Sequence, residues 1–369
     1  MSHVAVVGAG VAGASVAFAA ARAGATVTLI DDARTGRATA AGAGIIAPWA
    51  SSLSGDTYRL YAAGADGYPD VLAALADVGI DDVGHATNGA LVVAPDGGPG
   101  ADMAHRLTTR CAESAVAGIP EPVAAEAART MFPPLAEGWE GWFVPGGARV
   151  DGRRLAAGLV EGVVRLGGTV RTGTAAIDAG RVMIDGARLD ADTVVVAGGA
   201  WTGELLAARG HVVPVAAQRG QICHLSLAGA DTGRWPSVLP VADHYIVPFD
   251  AGRVVVGATR EPGVADPRIT AAGVAHVLDR ALGLAPGLAE ATLLETRVGL
   301  RPFPTVGHRP TIGRIHDDTW VVTGFGAIGL TIGPMIGFRV AGLIGGGADD
   351  ALLAPFSPGT QEDGRATEP

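Results

Sequence analysis

Residues 3–31 read HVAVVGAGVAGASVAFAAARAGATVTLID and decide the fold. The apolar run His3–Val7 has the length of a buried strand, and the alanine-rich stretch after the glycine turn predicts a helix that ends before Gly24. A second strand is predicted over Thr26–Ile30. The three elements predict a βαβ unit of the Rossmann type.

The turn of this unit is a GxGxxG motif that follows a strand and opens a helix, the setting of a dinucleotide-binding fingerprint. Glycine there lets the backbone approach a pyrophosphate, which the N–H groups and the positive dipole of the helix N-terminus stabilise. Asp31 ends the second strand, where its carboxylate can accept hydrogen bonds from ribose hydroxyls and would repel the 2′-phosphate of NADP. Asp32 is interpreted as its solvated neighbour. The predicted contacts in this unit are Gly8, Gly10, Val11, Ala12, Gly13, Asp31 and Asp32.

Composition limits the class of protein. The chain has 369 residues, 48% of them hydrophobic and 17% charged, which is typical of a globular protein with one large or two interleaved domains. A net charge of −10 argues against a nucleic-acid partner, because binding to phosphates needs clustered lysine and arginine.

Targeting and redox signals are sparse. The two cysteines, Cys111 and Cys223, cannot form a disulfide framework and are interpreted as buried thiols. The sequence begins Met1-Ser2-His3 without a basic segment, so we expect no secretory signal and a cytoplasmic location. The uncharged stretch Trp320–Phe338 is long enough for a membrane span, but its glycines and Pro334 favour a buried strand, loop and helix. No transmembrane segment is therefore predicted.

The order of strands along the chain separates two domains. Nucleotide-type strands return only at Thr193–Ala197 and Thr319–Thr323, whereas an NAD dehydrogenase would normally complete its sheet directly, so the discontinuity favours FAD. Period-two runs such as Val212–Leu227 predict an antiparallel sheet in a second domain, and Tyr58–Val78 is predicted to be one helix. We predict an FAD-binding domain over 1–85, 147–210 and 302–355, a substrate domain over 86–146 and 211–301, and a flexible tail over 356–369.

Motifs along the whole chain resemble one family. After the fingerprint come 41-AGAGIIAP-48, 197-AGGAW-201, 219-RGQ-221, 245-YIVP-248, 299-GLRP-302 and the segment Gly324–Gly329. Their order is similar to that of the D-amino acid oxidase-like family, which includes glycine and sarcosine oxidases and D-amino acid dehydrogenases. The resemblance implies an α/β fold in which a glutathione-reductase-like, Rossmann-type FAD-binding domain is interleaved with an α+β substrate domain built on an antiparallel sheet.

The resemblance implies roles for two residues of the second domain. Arg301 matches the arginine that grips the substrate carboxylate, and its guanidinium is a two-pronged donor suited to that group; an ion pair with Glu295 or another acid is the alternative. Tyr245 matches a substrate-contacting tyrosine, with a half-buried strand tyrosine as the alternative.

Further stretches are expected to contact FAD. The small-residue loop 41–45 allows a flat ligand to lie against the backbone. The segment Gly324–Gly329 spells a second GxGxxG, but too little chain follows for another nucleotide site; interpreted as strand, turn and helix, it aims a helix N-terminus at the flavin. The predicted contacts are Ala41, Gly42, Ala43, Gly44, Ile45, Thr174, Ala197, Gly198, Trp201, Gly326, Ala327, Ile328, Gly329, Leu330 and Thr331.

Arg297 departs from the family pattern, because family members often have tryptophan at this place. Its even spacing from Arg301 on an extended strand puts both guanidiniums on one face, so we place Arg297 with Arg301 and Tyr245 in the catalytic site, where it could bind a second substrate carboxylate. Pairing with Glu295 or Asp66 is the alternative.

Two further departures bear on the cofactor site. Ala327 stands where some oxidases of the group have a second arginine. No cysteine lies where sarcosine oxidases attach flavin, so non-covalent FAD is expected.

The predicted reaction is the FAD-dependent oxidation of the C–N bond of an amino acid or related amine. Hydride transfer from Cα to flavin N5 gives an imine, which water hydrolyses to an oxo acid. The nine histidines show no metal-ligand spacing, so no metal site is predicted. The alternatives are an FAD-dependent oxidoreductase that acts on a hydroxy acid or biosynthetic intermediate, and a non-catalytic FAD-binding subunit.

Overall fold

The nucleotide-binding unit forms where the sequence predicts it in the computed structural model, which describes residues 2–95, 97–178, 181–207, 210–241, 244–307 and 309–358. Strand β1 spans His3–Val7, helix α1 spans Val11–Arg22 and strand β2 spans Thr26–Asp31. Helix α1 is buried over nearly its full length, because its small side chains let neighbouring helices approach closely.

The other strands of the described residues are β3 (Ile45–Ile46), β4 (Ala86–Thr87), β5 (Ala90–Pro95), β6 (Glu121–Val123), β7 (Trp139–Val144), β8 (Ala148–Arg149), β9 (Thr169–Thr172), β10 (Ala175–Asp178), β11 (Arg181–Ile184), β12 (Ala187–Leu189), β13 (Thr193–Val196), β14 (Val215–Ser226), β15 (Ser237–Pro240), β16 (Tyr245–Pro248), β17 (Arg253–Gly257), β18 (Glu261–Pro262), β19 (Thr292–Pro304), β20 (Thr311–His316) and β21 (Thr319–Thr323). The other helices are α2 (Gly55–Asp66), α3 (Tyr68–Ala76), α4 (Gly100–Ala112), α5 (Ala125–Met131), α6 (Gly152–Arg165), α7 (Thr202–Ala207), α8 (Ala271–Leu284) and α9 (Gly329–Ile344).

A six-stranded sheet contains the first βαβ unit, in the order β20-β21-β13-β1-β2-β9. Strand β1 pairs in parallel with β2 and with β13, and β21 joins the far side of β13, also in parallel. Only the edge strand β20 runs antiparallel to its neighbour. The α/β prediction is confirmed, and the returning strands after residues 193 and 319 join the same sheet.

A second large sheet has nine strands, in the order β18-β14-β17-β16-β15-β5-β7-β6, with β19 paired to β14. Its neighbours are antiparallel except for β5 and β15, which run parallel. This pair joins the sequence around residue 90 to the sequence around residue 238, so one sheet unites the two stretches that we assign to the substrate domain. Two small sheets, β3-β8-β4 and β10-β11-β12, complete the described strands.

The stretch Tyr58–Val78 differs from the prediction, because it contains the end of α2 and all of α3 rather than one helix. Gly67 separates the two, and Pro69 stands in the first turn of α3, where its missing N–H costs nothing. The apolar stretch Trp320–Phe338 lies in β21, a turn and α9, as predicted. Within the described residues, no helix combines the length and apolar character that crossing a membrane requires.

The packed chain extends beyond Pro355. Phe356, which the sequence places in the flexible tail, is fully buried, and the Arg309 guanidinium lies 5.6 Å from the centre of its ring. Arg309 also donates a hydrogen bond of 2.8 Å to the Pro355 carbonyl. This part of the tail prediction is therefore wrong, and residues 359–369 lie outside the described residues.

Two fully packed histidines predict a pH dependence of stability. Burial lowers the pKa of His224 and of His244 to about 4 in each case. The unfolded chain gains protons below about pH 6.5 while the folded protein does not, so we expect the free energy of unfolding to fall between pH 6.5 and 4, by up to about 3 kcal/mol for each histidine.

Urea denaturation of the wild-type protein at several pH values measures this slope. His224→Gln should remove the part of this pH dependence that His224 contributes. The same substitution at the exposed His105 should leave the slope as in the wild-type protein. Equal slopes in both variants would contradict the assignment.

Candidate active site

A cavity of about 620 Å³ is lined by residues of both large sheets. At one end lies the turn after β1, where Gly8, Gly10, Val11 and Ala12 line it. Gly8 has φ +106°, and a Cβ there would lie 2.4 Å from the Ala197 carbonyl oxygen. The predicted contact Gly13 is not in the lining; a Cβ there would lie 1.9 Å from the Gly8 carbonyl oxygen, so this glycine lets α1 pack on the turn.

Asp31 lines the cavity at the end of β2. Its carboxylate accepts hydrogen bonds from the backbone N–H groups of Ala9 (2.7 Å) and Ala33 (2.8 Å), and from Arg37 at 3.0 Å. These bonds fix its orientation beside the glycine turn. Asp32 also lines the cavity and pairs with Arg34, so it is not merely a solvated neighbour.

The predicted loop contacts lie together in the cavity wall: Ala41, Gly42, Ala43, Gly44, Ile45, Ala197, Gly198 and Trp201. Gly44 has φ +82°, and a Cβ there would lie 1.8 Å from the Val150 carbonyl oxygen. Thr174 was predicted as a contact but does not line the cavity. Its neighbours Gly173 and Ala175 do, and the Thr174 N–H donates to Asp185 at 2.9 Å.

The segment before α9 forms another wall, which contains Gly326, Ala327, Ile328, Gly329, Leu330 and Thr331. Gly329 begins α9, so the N-terminus of this 16-residue helix faces the cavity, as predicted. The Thr331 hydroxyl donates to the Ile45 carbonyl at 3.1 Å and ties the helix to the loop. The wall can therefore stabilise a negative charge next to it.

Arg301 and Tyr245 also line the cavity, and after the effect of burial the Arg301 charge acts on the pKa of the Tyr245 phenol. The Arg301 guanidinium donates to the Thr259 carbonyl at 3.1 Å and to Gln218 at 3.3 Å. Gly220 leaves room for it, since a Cβ there would lie 2.4 Å from the guanidinium carbon. Burial lowers the pKa of Arg301, and burial raises that of Tyr245. The pair forms a fixed donor group that can hold a carboxylate.

Arg297 does not join this pair, and its predicted place in the catalytic site is corrected. It is not in the cavity lining, and its Nε donates to Glu295 at 2.9 Å, which is one of the two alternatives considered from the sequence. The segment Ala38–Ala41 packs on Gly299, midway between the two arginines, and the Ala40 carbonyl lies 3.5 Å from the Arg297 guanidinium. Even spacing put both arginines on one strand face, but the covering segment separates Arg297 from the cavity.

Sequence reasoning missed Arg260, which follows β17, and Arg106 on α4; both line the cavity. Arg301 donates to the carbonyl of Thr259, the residue before Arg260, and after the effect of burial the Arg260 charge contributes to lowering the pKa of Arg301. No motif marked Arg260, but a charged residue just after the end of a strand is a usable signal.

Charge is unevenly distributed around the cavity. Asp31 and Asp32 are the acidic residues among the described lining residues, and both lie at the nucleotide end beside Arg34 and Arg37. Arg106, Arg260 and Arg301 also line the cavity, the last two near Tyr245, and no other carboxylate of the described residues joins the lining; Glu261, which pairs with Arg219, acts on Arg301 from outside it. The part of the cavity near Tyr245 attracts anionic ligands even though the whole protein is acidic.

The lining can hold a dinucleotide that reaches from Asp31 to Tyr245. Small residues leave the backbone of the first turn and of the loop 41–45 exposed to the cavity, and two helix N-termini face it. The described residues contain no group of three or more histidine, cysteine or acidic side chains that could hold a metal ion.

Comparisons with known proteins agree with this geometry. The model of the DAO family, described as FAD dependent oxidoreductase, matches residues 3–343. A crystal structure of iminodiacetate oxidase (IdaA) from Chelativorans sp. BNC1 has a TM-score of 0.93 and 41% identity, covering 96% of this chain and 98% of that one. Uncharacterized oxidoreductase YurR of Bacillus subtilis (strain 168) is 39% identical over 97% of this chain and 99% of its own length. Glycine oxidase from Geobacillus kaustophilus has a TM-score of 0.84 and 26% identity, with 97% and 98% coverage. The chain belongs to the DAO family of FAD-dependent oxidoreductases.

Proposed function

We propose that this oxidoreductase oxidises the C–N bond of a secondary amine that carries two carboxylates, with iminodiacetate as the first substrate to test. The observation that carries the proposal is that Arg301 and Arg260 line one part of the cavity, where Arg301 donates to the carbonyl of Thr259, the residue before Arg260. Two guanidiniums match two carboxylates on either side of one nitrogen. The 41% identity to a protein described as iminodiacetate oxidase supports this choice over glycine.

We infer that FAD binds without a covalent bond. The two cysteines are buried, and neither lines the cavity. Asp31 and the glycine turn suit the adenosine and pyrophosphate, and the 41–45 loop and the start of α9 suit the flavin ring. Acid precipitation of the yellow protein should leave FAD in the supernatant, whereas colour retained in the pellet would contradict this proposal.

The chain's own residues orient the substrate. Arg301 and the Tyr245 phenol hold one carboxylate, and Arg260 holds the other, so that the carbon to be oxidised has a fixed position. The nearby positive charges also lower the pKa of the substrate ammonium, which favours the neutral amine. When bound, FAD supplies the hydride acceptor at N5. The substrate loses a hydride and a proton, and water converts the imine to an oxo acid and a primary amine.

The test is an anaerobic absorbance titration of the holoenzyme with iminodiacetate, glycine, N-methylglycine and D- and L-amino acids. We expect iminodiacetate to bleach the flavin band at the lowest concentration. Recovery on admitting air would indicate an oxidase, and no recovery would indicate a dehydrogenase. A yellow protein that no amine reduces would contradict amine oxidation and leave the family assignment intact.

A substitution at Arg260 tests its role in binding the second carboxylate. We expect Arg260→Gln to raise KM for iminodiacetate by about tenfold, because one charge-assisted contact is lost. The KM for an amine with a single carboxylate should change less than twofold. Steady-state kinetics measures both values, and Arg268→Gln serves as the matched control, since Arg268 is exposed and lies outside the cavity lining. An equal rise for both substrates would contradict the assignment.

A further inference from the structure

Helix α4 brings two arginines to the cavity segment 49–53, one turn apart. Arg110 donates to the carbonyls of Trp49 (3.3 Å), Ser51 (2.7 Å) and Leu53 (2.6 Å), and its guanidinium lies 3.7 Å from the centre of the Tyr58 ring. Backbone carbonyls accept hydrogen bonds from both of its terminal nitrogens. Arg110 therefore fixes the segment against α4.

Arg106 is bonded differently. Its side chain is half-buried, it lines the cavity, and its hydrogen bond to the Ser51 carbonyl is long, at 3.5 Å. Within the part of the chain that the structure describes, no carboxylate lies within ion-pair distance of it. An anionic partner stabilises a guanidinium that is partly removed from water. Arg106 lines the cavity, so an anion bound in the cavity can reach it.

The surroundings of Arg106 define what the partner looks like. Leu53, Met103 and Leu239 line the same region and are apolar. These side chains can pack against an aliphatic part of a ligand and exclude water from it, while Arg106 binds the charged group of the ligand. A ligand that reaches this place from Arg301 therefore has an aliphatic segment with an acid at its far end.

We propose that Arg106 forms an outer anion subsite, which binds a carboxylate or phosphonate at the far end of a substrate or inhibitor whose first carboxylate lies on Arg301. The inference rests on the proposed function only for the role of Arg301 as the inner anchor. It extends the substrate class from compact dicarboxylates to amines with a longer acidic arm. Arg260 serves the nearer second carboxylate.

The experiment uses the holoenzyme and ligands that cannot be oxidised. Perturbation of the flavin spectrum is titrated with α,ω-dicarboxylates from malonate to suberate, with the monocarboxylates of equal length, and with an ω-phosphono acid. We expect the longer diacids to bind about tenfold more tightly than their monocarboxylates, and Arg106→Gln to remove this ratio. Binding of malonate and of the monocarboxylates should stay unchanged, and Arg106→Lys should restore part of the ratio.

Arg129→Gln is the matched control, because it removes the same charge from an exposed pair with Glu137 that lies outside the cavity lining. Two results would overturn the inference: long diacids that bind no better than monocarboxylates, or an equal loss for all anions in Arg106→Gln, which indicates general attraction only. If an ω-carboxylate and an ω-phosphonate increase the affinity equally, Arg106 recognises the charge of the terminal group. If iminodiacetate fails to reduce the flavin while the length effect persists, the proposed function fails and the Arg106 subsite stands.

Discussion

Replacing Arg301 with lysine lowers kcat/KM for the best amine substrate by about 100-fold, which is the largest effect we expect from a substitution that keeps charge. Lysine offers a point charge in place of the two-pronged donor, and it cannot maintain the contacts to Gln218 and to the Thr259 carbonyl together. The loss should be largely in KM and in the Kd of carboxylate inhibitors. Steady-state kinetics and flavin difference spectra measure both, and FAD content should stay the same.

The matched control is Arg297→Lys. Arg297 lies on the same strand, four residues earlier, but it pairs with Glu295 outside the cavity, so its replacement should change kcat/KM by less than about threefold. A loss in Arg297→Lys as large as that in Arg301→Lys would contradict the assignment of the carboxylate to Arg301.

Gly44→Ala should abolish FAD binding. Gly44 has φ +82°, and a Cβ there would lie 1.8 Å from the Val150 carbonyl oxygen, so a methyl group displaces this part of the cavity wall from its place beside β8. We expect the free energy of unfolding to fall by about 3 kcal/mol. Urea denaturation and the FAD content of the purified variant measure the two effects.

Gly24→Ala separates backbone strain from the clash. Gly24 has φ +88°, close to that of Gly44, but no atom lies within 4 Å of the added methyl group. We therefore expect a loss of about 1 kcal/mol with normal FAD content. If Gly24→Ala loses FAD as Gly44→Ala does, close approach at the loop is not the cause.

The parts of this fold that follow from short-range pattern were predictable. The first βαβ unit needs only a buried apolar run, a glycine turn and helix signals within 29 residues, and its observed limits agree with the predicted ones to within one or two residues. Thr174 was predicted in the cavity lining but does not line it, and the helix break at Gly67 was missed, because each depends on one local turn that periodicity does not resolve.

The charged end of the site was only partly predictable. Arg301 was found through a motif, whereas Arg260 and Arg106 reach the cavity through the pairing of distant strands and the packing of α4 on the segment 49–53. Arg297 was misplaced because alternation gives the face of a strand but not what covers that face. Here the cover is the segment Ala38–Ala41, 256 or more residues away in sequence.

The order of strands in the parallel sheet constrains how the protein is made. Strand β1, which precedes the other described strands in the sequence, has β13 as one of its neighbours, and β13 also pairs with β21, which starts at Thr319. Contacts between residues so far apart in sequence slow folding, because the entropy of closing a long loop is lost before the strand pairing contributes favourable free energy. No N-terminal fragment contains a complete nucleotide-binding sheet. The complete sheet therefore forms only after β21 (Thr319–Thr323) has been synthesised, and we expect a truncation before residue 319 to prevent cofactor binding.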